Sequence, residues 1–429
     1  MREDKGLSIW PTRPLGEPSL ADIAAGGTPR RSVPRYFKGP IPWAKIGDLT
    51  RAGKYIADTE EKVSEEAIEN SNARVFPSGT VLVSMYGSIG RASITLVPMA
   101  TNQAILGIQP SPAALSGEYL YYFLLSAQPR LEKLGRGATQ DNINASHVKA
   151  LRIPLPSLPV QERVVLILQK ADEIRHKRHE ALDLADSILP AALIAMFGDP
   201  TNDRSDVERV PLGQLADVRS GVTKGRKLHG KEVVEVPYLR VANVQDGFLD
   251  LSEVKTIEVL PDDIDKYHLE DGDILMTEGG DPDKLGRGSV WRNQIEGSIH
   301  QNHVFRVRAD RGRLTPEYLA ALLRTQYARH YFLGCAKRTS NLASVNSTQV
   351  KAFPVPLPSI KLQEKFVSAV EQWILASDKL TVGLRDAGWL LASLMDAAFS
   401  GELTAEWEAS NADWIAEQVA LHERQPQSP

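Results

Sequence analysis

Residues 153–162 read IPLPSLPVQE, and residues 355–364 read VPLPSIKLQE, so the chain contains nearly the same stretch twice. A proline restricts the residue before it to extended geometry, which predicts that the Pro-x-Pro part of each copy is not helical. The Gln-Glu pair in each copy favours a helix start, because an acidic side chain is stabilised at the positive end of the helix dipole. Each copy is therefore predicted to close one globular unit and to begin a long helix.

The segments that follow the two copies carry apolar residues at alternating spacings of three and four. Such a spacing, sustained over about five turns or more, is typical of a coiled coil. An ordinary buried helix is the alternative, but it does not explain why two distant helices have the same phase. The helices are predicted over residues 158–198 and 359–400, and Pro190 is expected to make the last turns of the first one irregular. The predicted seam consists of Val164, Ile167, Ile174, Ile188, Phe366, Trp373, Leu380, Leu390 and Leu394.

The sequences that precede the two helices, residues 1–157 and 199–358, also repeat in order. Each contains two predicted strands, a glycine-containing loop, a helix and a polar segment before the proline-rich exit. A repeat of this length indicates two copies of one structural unit, with insertions confined to loops. The corresponding elements are the strands at 41–49 and 236–244, the strands at 79–85 and 272–276, and the helices that begin near Tyr119 and Glu317.

The predicted fold class is α+β, with two similar α+β domains joined by two long helices. The first helix leads from the first unit to the second, and the second helix begins at the second unit. If a pseudo-twofold axis relates the two halves, the two helices form an antiparallel coiled coil. Residues 401–429 are then a C-terminal tail that ends near the first unit.

Composition limits the class of protein. No apolar run reaches the ~18 residues of a membrane span, and the N-terminus lacks a secretory pattern, so we expect a cytoplasmic protein without a membrane partner. Cys335 is the only cysteine, which excludes internal disulfides and cysteine-rich metal sites. The formal net charge is −4, but the acidic excess lies in the helices and tail. The globular units are neutral to basic, a distribution that permits phosphate contact.

The sequence lacks the common catalytic motifs. It has no Gly-x-x-x-x-Gly-Lys-Ser/Thr phosphate loop, no Gly-x-Gly-x-x-Gly after a strand, and no Asn/Asp-Pro-Pro-aromatic motif of an amino-methyltransferase. His176 and His179 have a spacing that suits a metal, but their cationic neighbours favour a solvated basic face. The loop 281–284 has acids and a lysine, as nuclease sites do, but lacks a partner acid on a strand. We predict no catalytic residue and no metal site.

The polar stretches are better suited to binding nucleic acid. Arginine makes bidentate contacts to guanine and asparagine or glutamine to adenine, whereas lysine contacts phosphate. The two units share a framework and differ in these loops, as two readers of different sequences would. The candidate DNA-binding residues are Lys38, Arg51, Lys54, Tyr55, Tyr86, Arg91, Arg136, Gln140, Asn142 and Asn144 in the first unit, and Lys224, Arg226, Lys227, Arg240, Arg287, Lys337, Arg338, Asn341 and Asn346 in the second.

Several motifs occur together along nearly the whole chain. They are IPWAKIGD at 41–48, GTVLVS at 79–84, the two proline-rich helix entries, MFGDP at 196–200 and AFSGELT at 398–404. This combination resembles the specificity subunits of type I restriction–modification systems.

The resemblance implies two target-recognition domains that each read half of a bipartite double-stranded DNA site, with the paired helices as a spacer. It also implies docking of two modification (methyltransferase) subunits and of restriction subunits. S-adenosylmethionine, ATP and Mg²⁺ are then expected on these partners, with no cofactor on this chain. The chain would direct adenine methylation or cleavage without catalysing either. A protein–protein adaptor and a stand-alone methyltransferase or nuclease with an unrecognised site are the alternatives.

Overall fold

The computed structural model describes residues 8–135, 142–201, 207–226, 228–280, 285–338 and 342–424, apart from the side chains of Asp186 and Arg338. The α-helices are α1 Ile46–Ala52, α2 Glu65–Glu69, α3 Gly117–Gly135, α4 Ala145–Lys149, α5 Leu158–Phe197, α6 Pro261–Tyr267, α7 Pro316–Leu323, α8 Gln326–Cys335, α9 Ser347–Lys351, α10 Ile360–Ser400, α11 Ala405–Ser410 and α12 Ala412–Arg424. Short 3-10 helices lie at Pro34–Phe37, Leu212–Gln214 and Val241–Asn243.

The strands fall into two sets, one on each side of α5. The first set is β1 Thr12–Pro14, β2 Ala21–Ala25, β3 Ile41–Ala44, β4 Tyr55–Ile56, β5 Glu61–Val63, β6 Val75–Phe76, β7 Val81–Ser84, β8 Ala92–Thr95, β9 Met99–Thr101, β10 Ile105–Pro110 and β11 Arg152–Pro154. The second set is β12 Arg209–Pro211, β13 Ala216–Ser220, β14 Val234–Leu239, β15 Lys255–Val259, β16 Ile274–Thr277, β17 Gly279–Gly280, β18 Gly288–Val290, β19 Ile299–His300, β20 Val304–Ala309, β21 Lys337–Arg338, β22 Ala343–Ser344 and β23 Pro354–Pro356.

The chain divides into two compact units, and the division falls within both long helices. Unit 1 comprises Met1–His179 and Gly383–Pro429, and unit 2 comprises Glu180–Val382. Each unit therefore contains one of the predicted domains together with about half of α5 and half of α10. In unit 1 the tail helices α11 and α12 also belong to the compact body.

The two units share their strand pairing. In unit 1, β7 pairs with β10 and β8, and β3 pairs in parallel with β9. In unit 2, β16 pairs with β20 and β18, and β14 pairs in parallel with β19. A two-stranded ladder at the helix entry, β1 with β11 or β12 with β23, completes each framework. Both units are mixed α and β and share this central pairing. Unit 1 adds the edge strands β4 and β6, and unit 2 adds the small sheet of β17, β22 and β21.

The core of unit 1 lies between its sheet and its helices. Val81 and Val83 of β7 face Tyr119 and Leu120 of α3 in one cluster, which also contains Val164, Leu168 and Leu391 from the long helices. Phe399, near the end of α10, packs edge-on against Tyr119, with 5.3 Å between the ring centres. These contacts attach the paired helices to the sheet domain.

The core of unit 2 has the corresponding contacts. Phe197, near the end of α5, packs against Tyr318 of α7 and Phe366 of α10. The distances between ring centres are 4.7 Å and 5.5 Å. The indole Nε1 of Trp373 donates to the carbonyl of Ala185 at 2.7 Å. Because the earlier residue of α5 contacts the later residue of α10, the two helices run antiparallel.

Both long helices end in the same way. Gly198 follows α5 with a φ of 81°, and Gly401 follows α10 with a φ of 93°. A glycine adopts this left-handed conformation without the steric cost that a Cβ atom would impose, and it terminates the helix. Among the described residues, no helix combines the length and the apolar character that a membrane crossing requires.

The predicted seam is wrong at three of its nine positions, and at two of these the error is one of phase. Val164 and Phe366 are fully buried, and Ile167, Trp373, Leu380 and Leu394 are half-buried. Ile174, Ile188 and Leu390 are instead exposed, by 46%, 49% and 48%. Leu189 and Leu391 are buried instead of Ile188 and Leu390, and each of them follows the predicted position by one. Ile174 has no such replacement, because residues 173–180 are all exposed. A straight α-helix has about 3.6 residues per turn, so its buried face drifts relative to a strict 3.5-residue repeat.

Two local predictions also differ from the structure. α5 continues as a regular α-helix through Pro190 to Phe197, so the expected irregular end is absent. The predicted strand at residues 41–49 is only β3, and α1 begins at Ile46. The carboxylate of Asp48 accepts a hydrogen bond from the Lys45 backbone N–H at 2.8 Å, which caps α1. This short-range cap outweighs the strand propensity of the preceding residues.

Candidate nucleic-acid interface

In each unit, the loop after the central strand meets the polar segment that precedes the helix entry. In unit 1, Tyr86 forms a backbone bridge with Asn142, and the Ile143 N–H donates to the Met85 carbonyl at 3.0 Å. In unit 2, β17 pairs with β22, and the Val345 N–H donates to the Glu278 carbonyl at 2.9 Å. The sequence separated these segments by more than 50 residues, and the fold brings them together at the same place in both units.

The second asparagine of each segment caps a short helix. Asn144 Oδ1 accepts from the His147 N–H at 3.2 Å, and Asn346 Oδ1 accepts from the Gln349 N–H at 3.0 Å. Both side chains were predicted to contact bases, but here they satisfy the exposed N–H groups at a helix start. In unit 2 the sequence held the signal, since Asn346 and Gln349 have the spacing of a capping box.

Lys54, Tyr55 and Arg91 lie together in unit 1, with Arg91 at the end of the loop that follows β7. They line a cleft of about 630 Å³ between the sheet domain and the long helices, opposite Asp172 and Leu391. The Lys54 ammonium is nearly enclosed, lies 4.9 Å from the ring centre of Tyr122, and pairs with Glu118 at 3.1 Å. The DNA-contact prediction for Lys54 is therefore unsupported, because its charge is already neutralised inside the cleft.

The Tyr55 hydroxyl also binds Glu118. Burial disfavours the charge of Glu118, but the hydrogen bonds from Tyr55 and Lys54 outweigh it and lower the pKa of that carboxyl. Burial, together with the same hydrogen bond, raises the pKa of the Tyr55 phenol. Tyr55 and Lys54 thus hold the carboxylate of Glu118 at the start of α3.

Other predicted cations are engaged in ion pairs. Arg51 pairs with Asp48 in unit 1. In unit 2, Arg226 binds Asp263 at 2.7 Å, and Arg240 lies 3.7 Å from Glu253. Nε of Arg240 is buried, and so is Nε of Arg287. These side chains stabilise loops in the structure, and contact with DNA would require most of them to exchange partners.

Three predicted cations are better placed for solvent and phosphate. Lys38 follows the first 3-10 helix of unit 1 and is exposed, and Lys224 is exposed in a loop of unit 2. Lys337 is exposed on β21, which pairs with β22 beside the loop that starts at β17. Arg338 has its backbone in the same strand. Arg136, Gln140, Lys227 and Asn341 lie outside the described residues, as does the loop 281–284.

A buried ionic network in unit 2 was not anticipated. Arg306, only 3% exposed, donates to Asp217 at 2.9 Å, and Arg308 donates to Asp273 at 2.8 Å. Burial lowers the pKa of Arg306, and hydrogen bonding to Asp273 raises that of Arg308. Gly107 takes the place of Arg306 in unit 1, where a Cβ atom would lie 2.2 Å from the Phe76 ring. The sequence did contain a signal for this network, because Arg306 and Arg308 alternate with apolar residues along β20.

His300 is buried beside this network. Burial is the main cause that lowers its pKa to about 4, with Arg306 adding to the effect. Its Nδ1 lies 2.7 Å from the Val304 carbonyl, so the neutral ring donates there. In the part of the chain that the structure describes, no cluster of three or more His, Cys, Asp or Glu side chains has the arrangement of a metal site.

The comparisons with known proteins agree on one family. The family described as "Type I restriction modification DNA specificity domain" matches residues 9–183 and again residues 204–386. The type I restriction enzyme EcoKI specificity subunit of Escherichia coli (strain K12) is 25% identical over 395 residues, which cover 86% of this chain and 82% of that protein. The StySPI specificity subunit of Salmonella potsdam is 26% identical over 391 residues, which cover 86% and 81%.

A solved structure shares the fold. It comes from work described as the structural basis of complex assembly and conformational transition of the type I R-M system. Its TM-score to this chain is 0.52 at 15% sequence identity, and the alignment covers 90% of this chain and 99% of that one.

Proposed function

Since the chain belongs to the family of type I restriction modification DNA specificity domains, we propose that each of its two units reads one half of a bipartite DNA site. The observation that carries this proposal is the internal duplication. Tyr86 with Asn142 in unit 1, and β17 with β22 in unit 2, form the same junction on the same framework. The side chains around the junction differ, as expected for two readers with different targets.

The geometry favours five of the residues that the sequence predicts to contact DNA. The favoured residues are Lys38, Tyr86 and Asn142 in unit 1, and Lys224 and Lys337 in unit 2. Tyr86 and Asn142 lie at the junction of unit 1, and Lys337 lies on the strand beside the junction of unit 2. Lys38 and Lys224 lie in other loops, and both are exposed. Lysines at such positions would contact phosphate and fix the register, whereas Tyr86 and Asn142 would face base edges.

The long helices would serve as the spacer between the half-sites. α5 has 40 residues and α10 has 41, so each extends over about 60 Å at 1.5 Å per residue. The antiparallel contact of Trp373 with Ala185 couples the two rods within unit 2. A continuous, paired helix resists bending and would hold a fixed interval.

The partners proposed are two modification subunits and the restriction subunits of such a system, which would hold S-adenosylmethionine, ATP and Mg²⁺. Large apolar side chains are exposed along both helices, and they are suited to pack against another protein. They are Leu166, Ile174, Leu184, Ile188 and Ile194 on α5, and Ile374, Leu375, Val382, Trp389 and Leu390 on α10. In this proposal the chain selects the site, and its partners carry out adenine methylation or cleavage.

The test is to express the chain with a modification subunit in a host and to sequence methylated adenine in the host DNA. One bipartite motif, absent without this chain, is the expected result. The purified chain alone should bind duplex DNA without methylating or cleaving it. Turnover by the purified chain, or an unchanged methylation pattern when the chain is removed, would contradict the proposal.

A further inference from the structure

The C-terminal helices cover one surface of unit 1. Trp407 of α11 lies 5.5 Å below the guanidinium of Arg163, and Glu408 accepts from Trp10 Nε1 at 3.3 Å. Val419 and His422 of α12, with the segments 112–114 and 155–159, line a cavity of about 830 Å³. The helix entry of unit 1 is therefore covered by an acidic, amphipathic segment of the same chain.

Unit 2 has an equivalent surface without such a cover among the described residues. The equivalence follows from hydrogen bonds: Gln161 donates to the Ala114 carbonyl, and Gln363 donates to the Arg313 carbonyl. The segment 112–114 therefore corresponds to 311–313, and 155–159 corresponds to 357–361. By the same register Arg163 corresponds to Lys365.

The floor of the surface is retained in unit 2, and its rim becomes basic. Leu357, Pro358 and Ile360 are half-buried apolar residues, as Leu155 and Leu158 are in unit 1. Around them Pro112, Ala114 and Pro159 of unit 1 are replaced by arginine or lysine. We name Arg311, Arg313, Lys361 and Lys365 the basic surface, and all four are exposed.

The local ion pairs leave this surface basic. Arg311 lies 3.3 Å from Asp271 and still has a 59% exposed side chain. Arg313 donates to the backbone carbonyl of Gln214, so its charge is not neutralised there. The nearby acidic residues are Asp310, Glu317, Glu364 and, on a neighbouring segment, Glu208. Asp310 directly precedes Arg311, whereas Glu317 and Glu364 line one cavity with Arg311. Glu317 is itself paired with Arg292.

The basic surface is separate from the candidate DNA interface of unit 2. β20 begins beside His303, whose carbonyl accepts from the Glu278 N–H next to β17, and it ends just before Asp310 and Arg311. Six residues of extended strand span about 20 Å. DNA held at the β17 end of the sheet would therefore leave the opposite end, with Arg311 and Arg313, open to another ligand.

We propose that the basic surface of unit 2 is a docking site for an acidic amphipathic helix of a partner protein. The tail on unit 1 is the internal template for such a ligand. Residues 401–424 carry six carboxylates and one arginine, and their apolar residues pack on a floor of the same composition. Opposite charge at the rim of an apolar groove gives such a contact its specificity.

The direct test uses a labelled synthetic peptide of residues 401–424 and the full chain. Fluorescence anisotropy should show saturable binding that weakens when salt is raised from about 50 to 300 mM. A peptide with glutamine at 406, 417 and 423 should bind roughly tenfold more weakly. The Arg311→Glu, Lys361→Glu double variant should lose roughly tenfold in peptide affinity and keep its DNA affinity.

Lys231→Glu is the matched control, because Lys231 is an exposed cation of the same unit outside the surface. It should leave peptide binding unchanged. No binding at about 1 mM peptide, or equal binding of the glutamine peptide, would overturn the proposal. So would loss of binding in Arg163→Glu but not in Lys361→Glu, because the peptide would then be exchanging with the tail on unit 1. Weakened DNA binding in the double variant would assign the surface to DNA instead.

Discussion

Gln161 and Gln363 occupy the same position in the two units and make the same hydrogen bonds. Oε1 of Gln161 accepts from the Ser116 N–H at 2.9 Å, and Oε1 of Gln363 accepts from the Thr315 N–H at 2.9 Å. Each Nε2 donates to two carbonyls at 2.9–3.0 Å, one of them that of Pro156 or Pro358. Both side chains are fully buried. These glutamines fasten the first turn of each long helix to its sheet domain.

Removing either glutamine should therefore destabilise its unit. Gln161→Leu keeps the volume but leaves a buried N–H and two carbonyls without partners, which we expect to cost about 2–4 kcal/mol. Gln363→Leu should cost about the same. Denaturant unfolding followed by tryptophan fluorescence measures the change. Gln169→Leu is the control, because that side chain binds Glu173 on the helix surface, and its effect should be below about 0.5 kcal/mol. Equal effects of Gln161→Leu and Gln169→Leu would refute this role.

Alanine substitutions at two adjacent residues of α5 distinguish the buried seam of the helix from its exposed face. Leu189→Ala should lower the free energy of unfolding by about 2–4 kcal/mol, because Leu189 lies in the core of unit 2. Ile188→Ala should change it by less than about 1 kcal/mol, because Ile188 is 49% exposed. The same unfolding experiment measures both. If Ile188 were part of the seam, the two variants would be equally destabilised.

The phase error at Ile188 illustrates what the sequence determines. Residues 153–164, with their proline pattern and their repeat, predict where each long helix begins, and α5 begins at Leu158 as expected. Which of two neighbouring apolar residues is buried depends on the accumulated twist over many turns, and on the sheet domain against which the helix packs. A strict repeat in the sequence does not contain that information.

The candidate site was predictable only in outline. The duplication located the two reading units, and the polar segments were recognised, because both are visible in residue order. The order of residues did not show which side chains contact each other in the folded chain. Glu118 takes Lys54 and Tyr55 into the cleft of unit 1, and the capping role of Asn144 and Asn346 depends on a helix of only five residues. Ion pairs and helix caps in the fold therefore already engage several candidates that composition alone had favoured.

Lys337 and Lys54 should respond differently in DNA binding. Lys337→Ala removes an exposed cation beside the β17 loop, and each lost phosphate contact should lower the slope of log K against log salt by about one. Lys54→Met keeps the aliphatic stem and should leave the slope unchanged, because the ammonium is paired with Glu118. Titrations of duplex DNA at several salt concentrations measure the slope. A lower slope for Lys54→Met would mean that the cleft of unit 1 contacts DNA.

The stability of unit 2 should depend on pH through His300. An unfolded histidine has a pKa of about 6.5, whereas burial lowers that of His300 to about 4. Between these two pKa values the unfolded chain binds a proton that the folded chain excludes. The free energy of unfolding is therefore highest above about pH 6.5 and decreases as the pH falls towards 4. The expected loss is roughly 3 kcal/mol over this window.

His300→Asn should therefore reduce the difference in unfolding free energy between pH 7 and pH 4.5 by about 2 kcal/mol. His303→Gln is the control, because His303 is 58% exposed, and it should retain most of the wild-type difference. Denaturant unfolding at the two pH values gives both numbers. The same pH dependence in wild type and His300→Asn would exclude His300 as its source.

The central claim is that each unit reads its own half-site. The most direct test replaces the sheet domain of unit 2 with a copy of the sheet domain of unit 1. In this chimera residues 1–156 replace residues 199–358, so that both proline-rich entries keep their register. The measurement is sequencing of methylated adenine in a host that also expresses a modification subunit. The account predicts a symmetric bipartite motif, in which the half-site of unit 1 is followed by its own reverse complement. A folded chimera that still directs the original asymmetric motif, or directs a contiguous one, would contradict the account.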